Sequence, residues 1–127
     1  MGITKNGIEG EQKLFKLLKA EGFKFFQPDA IGSKDGKYYL FEVKHQEYFE
    51  GPPFDGHGLP KWQVEARLKF EDVTGIQTIL VIFDKKSGKV YWQLLRNLDA
   101  GDKTDTSGLN PRRIYPLDAF MEVTRSF

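Results

Sequence analysis

Lys37-Tyr38-Tyr39-Leu40-Phe41-Glu42-Val43-Lys44 is the stretch that decides the fold. Its aromatic and aliphatic residues predict a strand buried on both faces. The two-residue period of a strand puts Leu40, Glu42 and Lys44 on one face and Tyr39, Phe41 and Val43 on the other. Charges seldom sit unpaired on so apolar a strand. Taken alone, Glu42 and Lys44 read as a local ion pair where the sheet meets solvent.

Immediately upstream, Ser33-Lys34-Asp35-Gly36 carries hairpin-turn chemistry, with Gly36 suited to a positive φ. Ala30-Ile31 then begins or continues a partner strand, and Pro28-Asp29 stands where the chain enters it. Twelve residues separate Asp29 from Glu42, so the hairpin can bring the two carboxylates together across adjacent strands. Neighbouring carboxylates repel, and a divalent cation is one common relief. Magnesium takes hard oxygen ligands and keeps several waters, so two carboxylates and a backbone carbonyl suffice. Taken singly, Asp29 reads as an Asx-turn or a cap at a strand start.

Helices are expected on both sides of this motif. Leu14, Phe15, Leu17 and Leu18 predict a helix from about Gly7 to Ala20, with Glu21-Gly22 as its exit. Glu11 falls in register with Leu14, Phe15 and Leu18, the stripe that should face the sheet; its ordinary reading is a first-turn glutamate favoured by the helix dipole. Phe23 to Phe26 is a short strand candidate. After the central strand, the Gly-, Pro- and aromatic-rich segment from His45 to Pro60 is expected to be a long loop. A second helix is expected from about Lys61 to Asp72. On it Gln63, Ala66, Phe70 and Val73 form the inward stripe, with Gln63 pointing inward from the first turn. Thr78 to Phe83 and Val90 to Leu95 form a hairpin about Lys85-Lys86-Ser87-Gly88. Asp99 to Asn110 is expected to be a polar, mobile loop, and Arg112 to Val123 a final short strand and a helical turn after Pro116. The element order is α-β-β-β-α-β-β, an α/β sandwich around a mixed sheet.

Composition sets the outer bounds. The 127 residues are enough for one compact domain, residues 1–127, and 39% apolar with 29% charged is ordinary for a globular chain. No apolar run approaches the ~20 residues of a membrane helix, and the start of the chain carries no signal-peptide pattern. There are no cysteines, which excludes disulfides, thiolate metal sites and a cysteine nucleophile and fits the cytoplasm. A net charge of +1 announces no nucleic-acid partner. It excludes none either, since metal-binding carboxylates offset local lysines and arginines in the sum.

Three pieces in order, Glu11-Gln12-Lys13-Leu14-Phe15-Lys16-Leu17-Leu18-Lys19-Ala20-Glu21-Gly22-Phe23, Pro28-Asp29 and Phe41-Glu42-Val43-Lys44, resemble the PD-(D/E)XK nucleases, most of all their small Holliday-junction-resolvase branch. Pro28-Asp29, Glu42-Val43-Lys44 and the later helix with Gln63 are also similar to the virus-type replication-repair nuclease modules. The resemblance runs from about Gly7 to Phe83, while the insert from Gln46 to Pro60 and the tail after Arg96 depart from the small archaeal resolvases. It implies a restriction-endonuclease-like core of α-β-β-β-α-β order, a mixed central sheet flanked by helices. It further implies Mg²⁺, with Mn²⁺ as a substitute, bound by Asp29, Glu42 and the Val43 carbonyl. Glu11 would bind a second metal or hold a metal-bound water, Lys44 would orient the attacking water or stabilise the scissile phosphate, and Gln63 would support the water or Lys44.

The remaining chemistry is sparse. His45 and His57 are the only histidines, and neither has the context of a metal site or a triad. No serine has a nucleophile context, and no phosphate-cradling glycine loop is present, so no nucleotide cofactor is expected. The insert's aromatics could stack on splayed bases, pack back on the fold or bury a dimer interface. Lys61, Arg67 and Lys69 offer phosphate contacts from the second helix, with Arg112-Arg113 a comparable pair. The reading is a Mg²⁺-dependent endodeoxyribonuclease acting on branched DNA as a homodimer. Nicking, flap or end-processing activity is the enzymatic alternative, and a non-catalytic nucleic-acid-binding module on the same fold the other.

Overall fold

The computed structural model describes residues 13, 16–18, 20–21 and 29–124. Lys13, Lys16 to Leu18 and Ala20 are helical, as the first predicted helix requires. Glu11, Leu14, Phe15, Pro28 and the Phe23 to Phe26 strand candidate lie outside the described residues.

The hairpin forms as the sequence predicts. Strand β1 (Ala30–Lys34) runs antiparallel to β2 (Lys37–Gln46) with Lys34 opposite Lys37. Asp35 and Gly36 alone make the turn, with φ of 52° and 78°. Both being positive gives the twist a two-residue hairpin needs, and an Asp-Gly pair tolerates it best. Beyond β2 the chain forms β3 (Gly56–Pro60), α1 (Lys61–Thr74), β4 (Gln77–Asp84), β5 (Val90–Leu94) and α2 (Leu95–Ala100). There follow β6 (Thr104–Asp105), β7 (Arg112–Pro116), a 3-10 turn (Leu117–Ala119) and β8 (Met121–Glu122).

Among the described residues, five strands make a mixed sheet in the order β1-β2-β4-β5-β8, in which only β2 and β4 are parallel. The β2-to-β4 connection is long and contains α1, as a parallel pair demands. A second, antiparallel sheet of β3, β7 and β6 packs over one face of the first. Between them lies the core: Leu80 and Ile82 of β4, Tyr91 of β5, Val64 of α1, Leu95 and Leu98 of α2, Leu59 of β3, Tyr115 of β7 and Phe120.

Four expectations need correction. First, β2 is sealed on one face only, by Leu40 and Glu42; Tyr39, Phe41 and Val43 are half-buried among the described residues. Second, the stretch from His45 to Pro60 is not one loop, because β2 continues through Gln46 and Gly56–Pro60 is a buried strand. The glycines that suggested a loop serve close packing: a Cβ on Gly58 would stand 1.7 Å from the Arg113 carbonyl oxygen, and one on Gly56 2.0 Å from that of Tyr115. Third, α1 is rotated from the expected stripe. Its buried residues are Gln63, Val64 and Arg67, while Ala66 is exposed and Val73 is 77% exposed. Fourth, Asp99 to Asn110 begins inside α2 and includes β6, and Asp99 accepts hydrogen bonds from Tyr115, Arg113 and Lys103.

Candidate active site

The hairpin register decides where the first acid goes. Ala30 pairs with Phe41, and Asp29, the residue just before the paired stretch, donates its amide to Phe41 O at 3.1 Å. The regular pairing of β1 ends at Ala30, and no described strand meets the Val43 amide on that side. The Asp29 carboxylate takes that place, Oδ2 accepting from Val43 N at 2.7 Å. In a strand the N–H and C=O of one residue point the same way, so the Val43 carbonyl also faces the side of Asp29. Asp29 is exposed and Val43 half-buried.

Glu42 is 2% exposed, and its partner is a residue expected elsewhere. Arg67, on the inward stripe of α1, donates from Nε to Glu42 Oε1 at 2.6 Å, and it is 4% exposed. It was expected on the helix surface as a phosphate contact; the actual roll of α1 buries it instead. Its signal was present in the sequence, since Arg67 is four residues after Gln63 and so on the same stripe. The apolar Ala66, Phe70 and Val73 pointed to a different face.

Lys44 projects from the same face of β2 as Glu42 and is half-buried. The local Glu42–Lys44 ion pair, the plain explanation of the two charges, does not form: Glu42 pairs with Arg67, and no described carboxylate pairs with Lys44. A lysine ammonium beside the acid pair is left available to an anion. Gln63 is 8% exposed on the α1 stripe, one turn before Arg67. Lys61 is half-buried and pairs with Asp105 at 3.4 Å, and Lys69 is exposed. Glu11 lies outside the described residues.

Asp29 and Glu42, with the Val43 carbonyl, supply hard oxygen donors in the number Mg²⁺ takes from a protein when phosphate and water complete its shell. Among the described residues no three or more His, Asp or Glu side chains gather into a closed metal cage. Carboxylate and carbonyl oxygens are the donor set that an open, water-rich magnesium site uses. No described helix is long and apolar enough to cross a membrane.

No family model and no curated protein matches the chain. Among solved structures, Hjc, a Holliday junction resolvase from the archaeal hyperthermophile Archaeoglobus fulgidus, is similar at 16% identity and a TM-score of 0.49, over 94% of this chain and 93% of that one. The chemistry open to this chain rests on its own side chains.

Proposed function

We propose that this chain is a metal-dependent endonuclease that hydrolyses DNA phosphodiester bonds, with branched DNA, the Holliday junction foremost, as its substrate. One observation carries the reading: the Asp29 carboxylate docks on the amide of Val43, the residue after Glu42 in β2, and Lys44, on the Glu42 face, is unpaired with any described carboxylate. Asp29 and Glu42 are hard oxygen donors. They suit a hard cation, and the lysine suits the phosphate such a cation would hold.

Phosphodiester hydrolysis needs a hydroxide-like nucleophile near neutral pH and relief of the charge that builds on the phosphoryl oxygens. A bound divalent cation supplies both, by acidifying water and by drawing charge from the phosphate. Asp29, Glu42 and the Val43 carbonyl would hold it. Arg67 holds one oxygen of Glu42 and so fixes the direction of the carboxylate, which a flexible glutamate on a strand would not keep. Lys44 places a positive charge beside the scissile phosphate, where it stabilises the transition state more than the ground state. Water adds to phosphorus as the bond to the leaving oxygen breaks, leaving 5′-phosphate and 3′-hydroxyl ends by analogy with the nucleases the motif resembles. Glu11 joins this proposal as holder of a second metal or of a metal-bound water, and Gln63 as support for the water or Lys44. A two-fold junction calls for two related sites, hence a homodimer.

The test is cleavage of labelled four-way junction, flap, single-stranded and duplex DNA with Mg²⁺. Asp29→Asn and Lys44→Ala should each lower the rate about a hundredfold or more, the scale of losing one charge-stabilising group. Wild-type rates from both variants would end the assignment. Equal cutting of all four substrates by the wild type would remove the junction preference and leave the nuclease.

A further inference from the structure

The inner face of β2 does not stop at Lys44. Its next residue, Gln46, belongs to a second polar cluster whose hydrogen bonds all run one way. Arginine offers only donors, and Arg112 Nη2 reaches Gln46 Oε1 at 3.3 Å and Gly58 O at 3.1 Å. That settles the Gln46 amide: its Nε2 turns to Gly58 O at 3.3 Å and to His57 Nδ1 at 3.0 Å. Nδ1 must then accept, so the imidazole proton sits on Nε2, 3.0 Å from Asp84 Oδ2. The outcome of the chain from Asp84 through His57 and Gln46 is a fixed Arg112.

Arg112 and its neighbour Arg113 meet different fates. Arg113 is closed on Asp105 and Asp99. Arg112 meets no carboxylate among the described residues; only neutral oxygens hold it, and its Nε and Nη1 have no hydrogen-bond partner there. Its charge is thus positioned without being neutralised. It lines a cavity of about 350 Å³ with Gln46, His57, Thr106 and, at the rim, the partly exposed ring of Phe49. Glu47, exposed, is the one acid of the lining. The volume is that of an ordinary small-ligand site. A guanidinium and an aromatic ring in one cavity match the two halves of a nucleotide, phosphate and base. Gln46 is four residues past Glu42 on the same face, about 13 Å at ~3.3 Å per residue, a distance DNA spans in about four nucleotides.

We propose that this cavity is a nucleotide-binding subsite for the DNA strand engaged at Asp29 and Glu42, with Arg112 taking a phosphate and Phe49 a base. It deepens the nuclease reading and rests on it. The test is fluorescence anisotropy of the full chain with labelled four-way junction and single-stranded DNA in EDTA, over a salt series, beside the cleavage assay in Mg²⁺. Arg112→Gln should weaken binding about tenfold and reduce the salt slope by about one counterion. Phe49→Ala, at a partly exposed position, should weaken it about fivefold or more with an unchanged slope. Phe49→Ala binding like the wild type would overturn the subsite, as would a folded Arg112→Gln that did so. Should both variants lose affinity while the wild type cuts nothing, the subsite stands and the nuclease reading falls. Should neither lose affinity while the wild type cuts, the reverse holds. A wild type that binds no DNA overturns both.

Discussion

At one end of the inner face of β2, the buried Glu42 meets the Arg67 guanidinium that α1 brings down to it, at 2.6 Å. At the other end, Gln46 meets a buried acid and base of a different kind, His57 on Asp84. Asp84 is saturated: besides His57 it accepts from the amides of Lys86 and Ser87, at 2.8 and 3.2 Å, and so also shapes the β4–β5 turn. Burial pushes its carboxyl up, but those hydrogen bonds outweigh burial and hold it below the ordinary carboxylate range. Glu42 instead precedes Val43, whose amide holds a second acid, Asp29, and it shares its face of β2 with a lysine. An acid surrounded by its own donors organises structure. Under the proposed nuclease reading, that contrast assigns the chemistry to Glu42 and the support to Asp84.

The sharpest way to break the contrast is to remove Arg67. Arg67→Ala leaves the Glu42 carboxylate buried without its ion-pair partner, a loss of about 3–5 kcal/mol, read as a fall in the urea midpoint at constant slope. Adding Glu42→Gln to it should restore much of that loss, because no charge is then stranded. Asp29→Asn, at an exposed position, should cost less than about 1 kcal/mol while removing cleavage. If Arg67→Ala proved as mild as Asp29→Asn, the buried pair would not be what orders this end of the strand.

The two ends also differ in how far the sequence disclosed them. The strand and its turn were legible because each rests on local chemistry: Asp35-Gly36 for the turn and alternation for the face. Arg67 was half legible, being on the right helix but assigned to its outer side. The Gln46 end was not legible. Its partners come from β3, β4 and β7, and Gly56, His57 and Gly58 look like loop residues until β7 is laid against them. Glycine required by a neighbouring backbone and glycine required by a turn are the same letter in a sequence.

That distinction makes a prediction of intermediate size. Gly58→Ala places a methyl group 1.7 Å from the Arg113 carbonyl oxygen, and backbone cannot yield as a side chain can. β3 must part from β7, disturbing the Gly58 carbonyl that Gln46 and Arg112 both use. The expected cost is about 2–3 kcal/mol, the upper range for overpacking, measured by urea denaturation, with weakened DNA binding. A loop glycine would tolerate the change, so an unaltered midpoint would restore the loop reading of this segment.

The smallest expected effect is on pH dependence, and it separates the ends by titration. Burial pushes the His57 imidazole below its ordinary 6.5 and outweighs the hydrogen bond and charge of Asp84. Around it lie Asp84, the rings of Tyr91 and Phe120, and, through Gln46, Arg112. Below pH 6.5 the unfolded chain therefore binds a proton at this residue that the folded chain resists. Stability is full above that pH and is lost as pH falls toward the folded value. Asp84, lowered from 3.8, works in the same direction at more acid pH. A protonated His57 would also turn a second donor on Gln46 Nε2, forcing the amide to flip and to present a donor to Arg112. The wild-type urea midpoint should thus fall between pH 7.5 and pH 5, and DNA binding should lose its Arg112 contribution over the same interval. In His57→Gln, which titrates nowhere in that range, the part of the fall due to this residue should vanish. An equal fall in wild type and variant would show that the Gln46 end does not titrate, and that its chain of hydrogen bonds holds Arg112 at any pH the fold survives.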